Sequence, residues 1–381
     1  MNCVAALQSV FWVSAAALAY TFPGYPFCIR LLAGLFPHKN DAAKPAAPPE
    51  VCAVLVAYNE QDRIAARIEN LLSSDYPNLR VLAVSDGSSD ATVERISAMK
   101  NPRVQCIKRD SRSGKSACLN IGVAQSKCDI LVFCDARQNF ATDAISRLVS
   151  NFSNPQVGAV SGSLSIDPSR SSVGEGVDAY WKLEKKIRAA ESHFDSSIGC
   201  TGAIYAIRRE LFEEIPGDTL LDDVVIPMQI ALKKRRVIFD GSALACDPQS
   251  LEPGSEMIRK KRTLAGNFQM LFRYPGWLLP WRNRLWWQLI SHKYLRVVSP
   301  MFLLLALGAN LLLASIPLYR ELLLLQGLFY LLAITGMALP SLKFRLFSFP
   351  AGFLFLNIMT LRGLLYYLFP PVRNQGWESR R

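Results

Sequence analysis

The sequence predicts an α/β protein, a mainly parallel sheet with helices on both faces, held between membrane-spanning helices. Three observations carry this reading. Short apolar runs at Val51 to Ala57, Val81 to Val84, Val104 to Ile107 and Ile130 to Phe133 alternate with segments of near-helical spacing at Gln61 to Ser73, Thr92 to Met99 and Ser113 to Gln125. That alternation is the pattern of right-handed βαβ units. No charged side chain occurs from Met1 to Ile29, and Val4 to Phe22 alone is long enough to cross a bilayer. Near the other end, Val297 to Tyr319 and Leu322 to Leu342 are each uncharged over about 20 residues or more, and a third apolar run, Leu346 to Phe369, is interrupted by Arg362.

These divisions give an N-terminal anchor and linker at 1–49, an α/β domain at 50–275, an amphipathic interfacial helix at 276–296 and C-terminal membrane helices with a tail at 297–381. The anchor lacks the positive n-region of a secretory signal, so it is expected to be retained. Arg30, His38 and Lys39 follow it and place its C-terminal side in the cytoplasm, and Lys44 to Pro49 reads as a stiff linker. Trp277, Trp281, Trp286 and Trp287, mixed with Arg282, Arg284 and Lys293, suit a segment lying at headgroup level. The loop with Lys343 and Arg345 is expected to be cytoplasmic. The same count puts Arg373, Arg380 and Arg381 outside, against the charge rule, unless the last run stops at the interface. Arg362 within it marks either a functional path or a snorkelling helix end.

A net charge of +12 calls for a partner of negative charge, whether nucleic acid, anionic lipid or phosphorylated substrate. The nine cysteines contain no C-x-x-C pair, which argues for free thiols in a reducing compartment. Three widely separated histidines make a His-rich metal site improbable.

The chemistry is expected at the C-terminal edge of the sheet, where open α/β sheets bind ligands. Ala57-Tyr58-Asn59-Glu60 ends the first strand, Ser85-Asp86-Gly87 the second, and Asp135-Ala136-Arg137 the fourth. Any one of these carboxylates could simply cap a helix, and Asp90 with its neighbouring serines is best read that way. Three on one edge suit a magnesium or manganese ion bound to a diphosphate. Ser113-Gly114-Lys115-Ser116 fails as a phosphate-binding P-loop because Arg109 stands where its first glycine belongs, although Lys115 at a helix start can still meet phosphate. Leu221-Asp222-Asp223 places adjacent carboxylates at a helix start, and Arg259-Lys260-Lys261-Arg262 forms a basic cluster. The Lys233 to Arg236 run reads as a solvated helix end.

Together these residues, from about Val51 to Gln269, resemble glycosyltransferase family 2, inverting enzymes of GT-A fold, and the flanking apolar segments resemble its bacterial polysaccharide and glycolipid members. The resemblance implies hexosyl transfer from a UDP-sugar to a saccharide or lipid-linked acceptor, a divalent cation, Mg2+ or Mn2+, and a multi-pass protein of the inner, cytoplasmic membrane with its catalytic domain in the cytoplasm. It implies membrane lipids and export or assembly components as partners, and no nucleic acid. By the same resemblance Ala57, Tyr58 and Glu60 border the nucleotide, Asp86 meets the uracil, and Lys115 lies near the nucleotide. Asp135 holds metal and diphosphate, Thr201, Gly202 and Asp222 face the acceptor, Asp223 is the general base, and Arg259 and Arg262 cover the diphosphate.

Two positions depart from the family pattern. Arg137 replaces the second aspartate of D-x-D, which thins the metal ligation and offers a cation to phosphate instead. Thr263 replaces the tryptophan of Q-x-x-R-W, which puts processivity in doubt. Four spans are few for a polymer channel, which favours an assembly enzyme. Two other readings stay open: a sugar-phosphate nucleotidyltransferase, and a membrane scaffold with a degenerate nucleotide-binding domain.

Overall fold

The computed structural model describes residues 3–38, 48–166, 175–247, 253–339 and 344–369. Lys39, most of the 44–49 linker, Lys343, Arg373, Arg380 and Arg381 lie outside the described residues, as does the side chain of Arg259.

One eight-stranded sheet forms the centre, in the order β3-β2-β1-β4-β7-β6-β8-β5. Strands β1 (Val51–Ala57), β2 (Leu79–Ser85), β3 (Val104–Lys108) and β4 (Ile130–Cys134) are parallel, joined by helices α3 (Ile64–Leu72), α4 (Thr92–Ala98) and α5 (Lys115–Gln125). Every residue of β1 is buried, as a strand covered on both faces requires. Val54, Leu82, Leu119 and Phe133 fill one face, and Leu55, Val81, Ile64 and Ile68 the other. Helix α5 lies so close to β1 that a Cβ on Gly122 would stand 2.6 Å from Val54 Cγ1.

The far half of the sheet is mixed. Strand β7 (Ile204–Arg208) runs antiparallel to β4 and to β6 (Val157–Ile166), β8 (Arg236–Asp247) runs parallel to β6, and the short β5 (Asn139–Phe140) closes the edge antiparallel to β8. The expected parallel character therefore holds for the first four strands. The reversal at β7 matters for the site. Because Ile204 pairs with Cys134, the turn entering β7 lies beside the C-terminal end of β4. Helices α6 (Ala144–Ser150), α7 (Glu175–Phe194) and α8 (Asp222–Leu232) cover this half.

The basic run at 233–236 differs from its expected reading. Lys233 caps α8, but Arg236 begins β8, is 6% exposed, and donates to the Asp195 and Ser192 carbonyls.

Among the described residues four helical runs are long and apolar enough to cross a membrane: Cys3–Leu35, Trp286–Leu312, Pro317–Ala338 and Arg345–Leu368. The first comprises α1 (Cys3–Ala19), a π turn (Tyr20–Gly24) and α2 (Tyr25–Leu35). The stretch 276–296, expected as one interfacial helix, is broken. A 3-10 turn spans Pro275–Leu278, and Asn283 then bonds the Trp277 carbonyl and the Leu285 amide. Only then does α10 (Trp286–Leu289) start, running through a second π turn (Ile290–Tyr294) into α11 (Leu295–Leu312). The two π turns touch through Tyr20, whose hydroxyl lies 2.8 Å from Ser291 Oγ and accepts from Trp287 Nε1 at 2.8 Å.

Helix α12 (Pro317–Ala338) packs on α13 (Arg345–Leu368), and α13 on α9 (Pro253–Arg273). A Cβ on Gly363 would lie 2.6 Å from Leu264 Cβ. Through that close contact the long apolar helix α13 rests directly on the helix that carries Arg262.

Candidate active site

The register of the parallel strands brings the acidic turns to one edge. Ala57 pairs with Ser85, so Tyr58 and Asp86 leave the sheet at the same level, and Asp135 follows Cys134 one step away. Asp135 is fixed from behind by Arg67, 1% exposed, whose Nε donates to the Asp135 carbonyl at 3.0 Å while its guanidinium stacks on Phe140. Lys115 Nζ donates to Asp135 Oδ1 at 3.0 Å and lies 3.4 Å from Asp222 Oδ2. Burial alone would raise the Asp135 carboxyl pKa, but Lys115, Arg137 and Arg262 hold it below the ordinary range. Lys115 is correspondingly pushed above the usual lysine value by Asp135 and Asp222, against its own desolvation.

Asp222 and Asp223 form the first turn of α8. The Gly-rich turn before β7 clamps them. Cys200 N–H donates to the Asp223 carbonyl at 2.7 Å, and Gly199 adopts φ +81°, a conformation that favours glycine. A Cβ on Gly202 would come within 3.0 Å of Asp223 Oδ2 and 3.3 Å of its Cβ. Burial first and Asp222 second push the Asp223 carboxyl up to about 6, against the pull of Lys115, Arg188 and Lys293. A carboxyl poised there can take a proton near neutral pH. Gly202→Ala is expected to displace this side chain by a few tenths of an ångström and lower turnover by about tenfold or more, because misplaced catalytic groups lose rate steeply. Steady-state kinetics beside a thermal melt checks it; an unchanged rate would show that the close approach is incidental.

Other expected site residues have more settled partners. Asp86, 2% exposed, accepts from Ser113 N, Ser113 Oγ and Gly114 N at 2.7, 3.1 and 2.9 Å, so its carboxylate shapes the turn that launches Lys115. Tyr58 carries Arg112 stacked 4.1 Å above its ring. Ala57 is buried, its carbonyl accepting from the Asp86 amide. Glu60, 7% exposed, pairs with Arg63, and burial raises its pKa. Arg137 is turned to the buried Asp247, 2.6 Å away, and does not line the cavity described next. Arg362 is exposed on α13, as a snorkelling side chain would be.

A cavity of about 400 Å3 joins these groups. Lys115, Asp135 and Arg262 line one end, Thr201, Gly202, Asp222 and Asp223 its middle. Its other end lies among Glu184, Arg188, His292 and Arg296, which the sequence had not singled out, and Lys293, expected only at headgroup level, and beyond them Phe22, Val297 and Leu356 from the long apolar helices. A Glu–x–x–x–Arg pair within a helical run was visible at 184 and 188, but nothing in the sequence aimed it at Asp223. Among the described residues no cluster of three or more His, Cys, Asp or Glu side chains could hold a metal by itself.

Residues 52–216 match the family model described as glycosyl transferase family 2. Over 262 residues the chain is 25% identical to a beta-monoglucosyldiacylglycerol synthase of Synechocystis sp., covering 62% of this chain and 52% of that protein. It is 31% identical over 168 residues to an N-acetylglucosaminyltransferase of Rhizobium meliloti, covering 42% and 39%. A poly-beta-1,6-N-acetyl-D-glucosamine synthase of Staphylococcus epidermidis is 23% identical over 62% of this chain and 57% of its own length. The chain thus spans about half the length of the curated relatives it matches. A mannosyltransferase from Pyrobaculum calidifontis, solved with GDP-Man and Mn2+, superposes with a TM-score of 0.71 at 22% identity over 95% of this chain and 99% of that one. Sequence match and fold agree: residues 52–216 carry the match to glycosyltransferase family 2, and the chain is built on the GT-A fold.

Proposed function

We propose that the protein is a membrane-bound inverting hexosyltransferase that moves a sugar from a UDP-sugar to a saccharide or lipid-linked acceptor in exopolysaccharide or glycolipid assembly, its catalytic region on the cytoplasmic face of the inner membrane. The observation that carries this is the meeting of Asp135, Lys115 and Asp222-Asp223 on one cavity wall, with apolar helices closing the far end. The names of the relatives, a glycolipid synthase and a polysaccharide synthase, support the same pair of acceptor classes.

The acceptor hydroxyl attacks the anomeric carbon while Asp223 takes its proton, and the bond from that carbon to the diphosphate oxygen breaks on the opposite face. One displacement inverts the configuration. Lys115 and Arg262 neutralise the departing diphosphate electrostatically. Asp86 acts by fixing the Ser113-Gly114 turn, and Arg112 on Tyr58 forms the platform beside the nucleoside. Among the described residues no three possible metal ligands gather, and Asp135 at the sheet edge is the carboxylate that would hold a divalent cation, which fits an ion that takes most of its oxygens from phosphate and water. Such an ion would add further charge compensation to the leaving group.

Purified full-length protein with membrane lipid and labelled UDP-glucose, UDP-N-acetylglucosamine or GDP-mannose tests this. Release of UDP with sugar in a lipid or polysaccharide product is expected, and chelation is expected to weaken UDP binding in a calorimeter. Pyrophosphate release from UTP and a sugar phosphate would establish a nucleotidyltransferase, and no turnover of any donor would favour a scaffold.

A further inference from the structure

The end of the cavity away from Asp135 is built from charges at the level where the chain enters the apolar helices. Arg188 Nε, Lys293 Nζ and Arg296 Nη1 pair with a single carboxylate, Glu184, at 3.6, 3.8 and 2.8 Å, and their side chains are only 14–17% exposed. Glu184 also faces His292 Nε2 at 2.9 Å, while His292 Nδ1 lies 2.7 Å from Glu191, which accepts from Tyr25 of the N-terminal run at 2.5 Å. Burial alone would raise the Glu184 pKa, but His292 and Arg296 hold it well below the usual range.

An ionic cluster of this density beside a bilayer is costly to desolvate and is a functional hypothesis by default. His292 and Lys293 sit on the second π turn, and π turns recur at functional sites. Among the described residues the buried Arg188 Nε–H has no hydrogen-bond acceptor. Past the charges the lining turns apolar at Phe22, Val297 and Leu356, with Ser299 and Asn357 bonded to each other at 2.6 Å in the wall.

We propose that this end of the cavity binds the phosphate of a lipid headgroup, with Arg188, Lys293 and Arg296 as its ligands, and that the lipid tail leaves between Phe22, Val297 and Leu356 into the bilayer. The inference deepens the function proposed above by naming the acceptor as a phosphate-bearing lipid. The base stands between the two sets of cations: Lys115 Nζ lies 3.4 Å from the adjacent Asp222, while Arg188 Nη1 donates to Thr201 Oγ1 at 3.0 Å, next to the Gly202 whose Cβ would meet Asp223. Asp223 accordingly feels Lys115 as well as Arg188 and Lys293. Two anions, one either side of Asp223, would bring a hydroxyl of the acceptor head to the anomeric carbon.

The test is binding to the full-length protein in nanodiscs, read by native mass spectrometry. Phosphatidic acid is compared with diacylglycerol of the same chains, a polyprenyl phosphate with its free alcohol, and inorganic phosphate is tried alone. The phosphorylated member of at least one pair is expected to bind at least about tenfold more tightly than its phosphate-free partner. Arg188→Gln and Lys293→Gln are each expected to lose about tenfold or more of that affinity, with Arg188→Lys restoring part, while UDP affinity stays unchanged. Leu356→Trp leaves every charge in place and is expected to weaken the long-chain lipid but not its dibutyryl analogue.

Equal binding of the phosphate-free lipids overturns the proposal. Inorganic phosphate binding as well as the lipid removes the tail from it, and loss of UDP affinity in Arg188→Gln with lipid affinity intact assigns the cations to the donor instead. Failure of the proposed transfer function is read separately, as absent UDP binding and donor turnover with lipid selectivity preserved.

Discussion

Asp223→Asn is expected to lower sugar transfer by roughly 100-fold to 10,000-fold while nucleotide affinity stays within a factor of a few, because the variant keeps the shape of the side chain and removes only its capacity to accept a proton. The wild-type rate should carry a further signature. The carboxyl sits at about 6, raised by burial and by Asp222, so the reactive, ionised form gains as pH rises. Turnover is expected to climb through pH 6 and level off above it, and the residual activity of the variant to be flat over the same range.

Asp222→Asn, by removing the neighbouring negative charge, is expected to move that limb to lower pH. The stability sign is opposite. A carboxyl whose folded pKa lies above its unfolded value favours folding at low pH, and that contribution is lost as pH rises through about 6. Asp223→Asn is therefore expected to melt no lower than wild type at pH 8. A variant that transfers sugar at near-normal rate, or a wild-type profile without a limb near 6, would remove Asp223 from the role of base.

The contrast between Asp223 and Asp135 was only half legible in the sequence. The apolar run Ile130 to Phe133 followed by an acid located Asp135 at a sheet edge because parallel strands are periodic and local. Helix α8 likewise declared its start with two carboxylates. What brings them together is the reversal at β7, and nothing in Ile204 to Arg208 tells its direction from that of the first four strands.

The same limit explains Arg137. Its position in the D-x-D pattern suggested a phosphate contact, but its partner Asp247 lies 110 residues away on β8, and a carboxylate only 5% exposed binds the nearest cation strongly. Asp86 illustrates a third case: the sequence placed it on the ligand edge, while the three hydrogen bonds that occupy it come from a turn whose path only the fold defines. The Glu184 and His292 cluster was invisible because the charged helix and the apolar run each looked ordinary alone. Their charges acquire meaning only when α7 and the second π turn are packed together.

Lys115→Met is expected to have the second largest effect, on stability and on donor binding together. Lys115 is 15% exposed and bridges Asp135 and Asp222, whose side chains are 28% and 6% exposed. Removing one partner of a buried pair leaves the other charge uncompensated, and the partial exposure of Asp135 puts the loss at the lower end of the usual range, about 3 kcal/mol at neutral pH.

Its pH dependence separates charge from packing. In the wild type the Asp135 carboxyl is held below its unfolded value, so its contribution is present above that value and lost as pH falls through the lower, folded one. Lys115, shifted upward, keeps its contribution until pH rises past the ordinary lysine range. Without Lys115, burial acts on Asp135 with less opposition, its pKa rises, and protonation becomes a route to relieve the site. The stability gap between wild type and variant is therefore expected to be widest near pH 7 and to narrow toward about pH 4, as Asp135 of the variant takes up a proton while that of the wild type stays ionised. Chemical denaturation at several pH values reads this gap. One that stays constant from pH 7 to 4 would show that Lys115 contributes through its aliphatic stem, and the charge bridge would lose its place at the centre of the site.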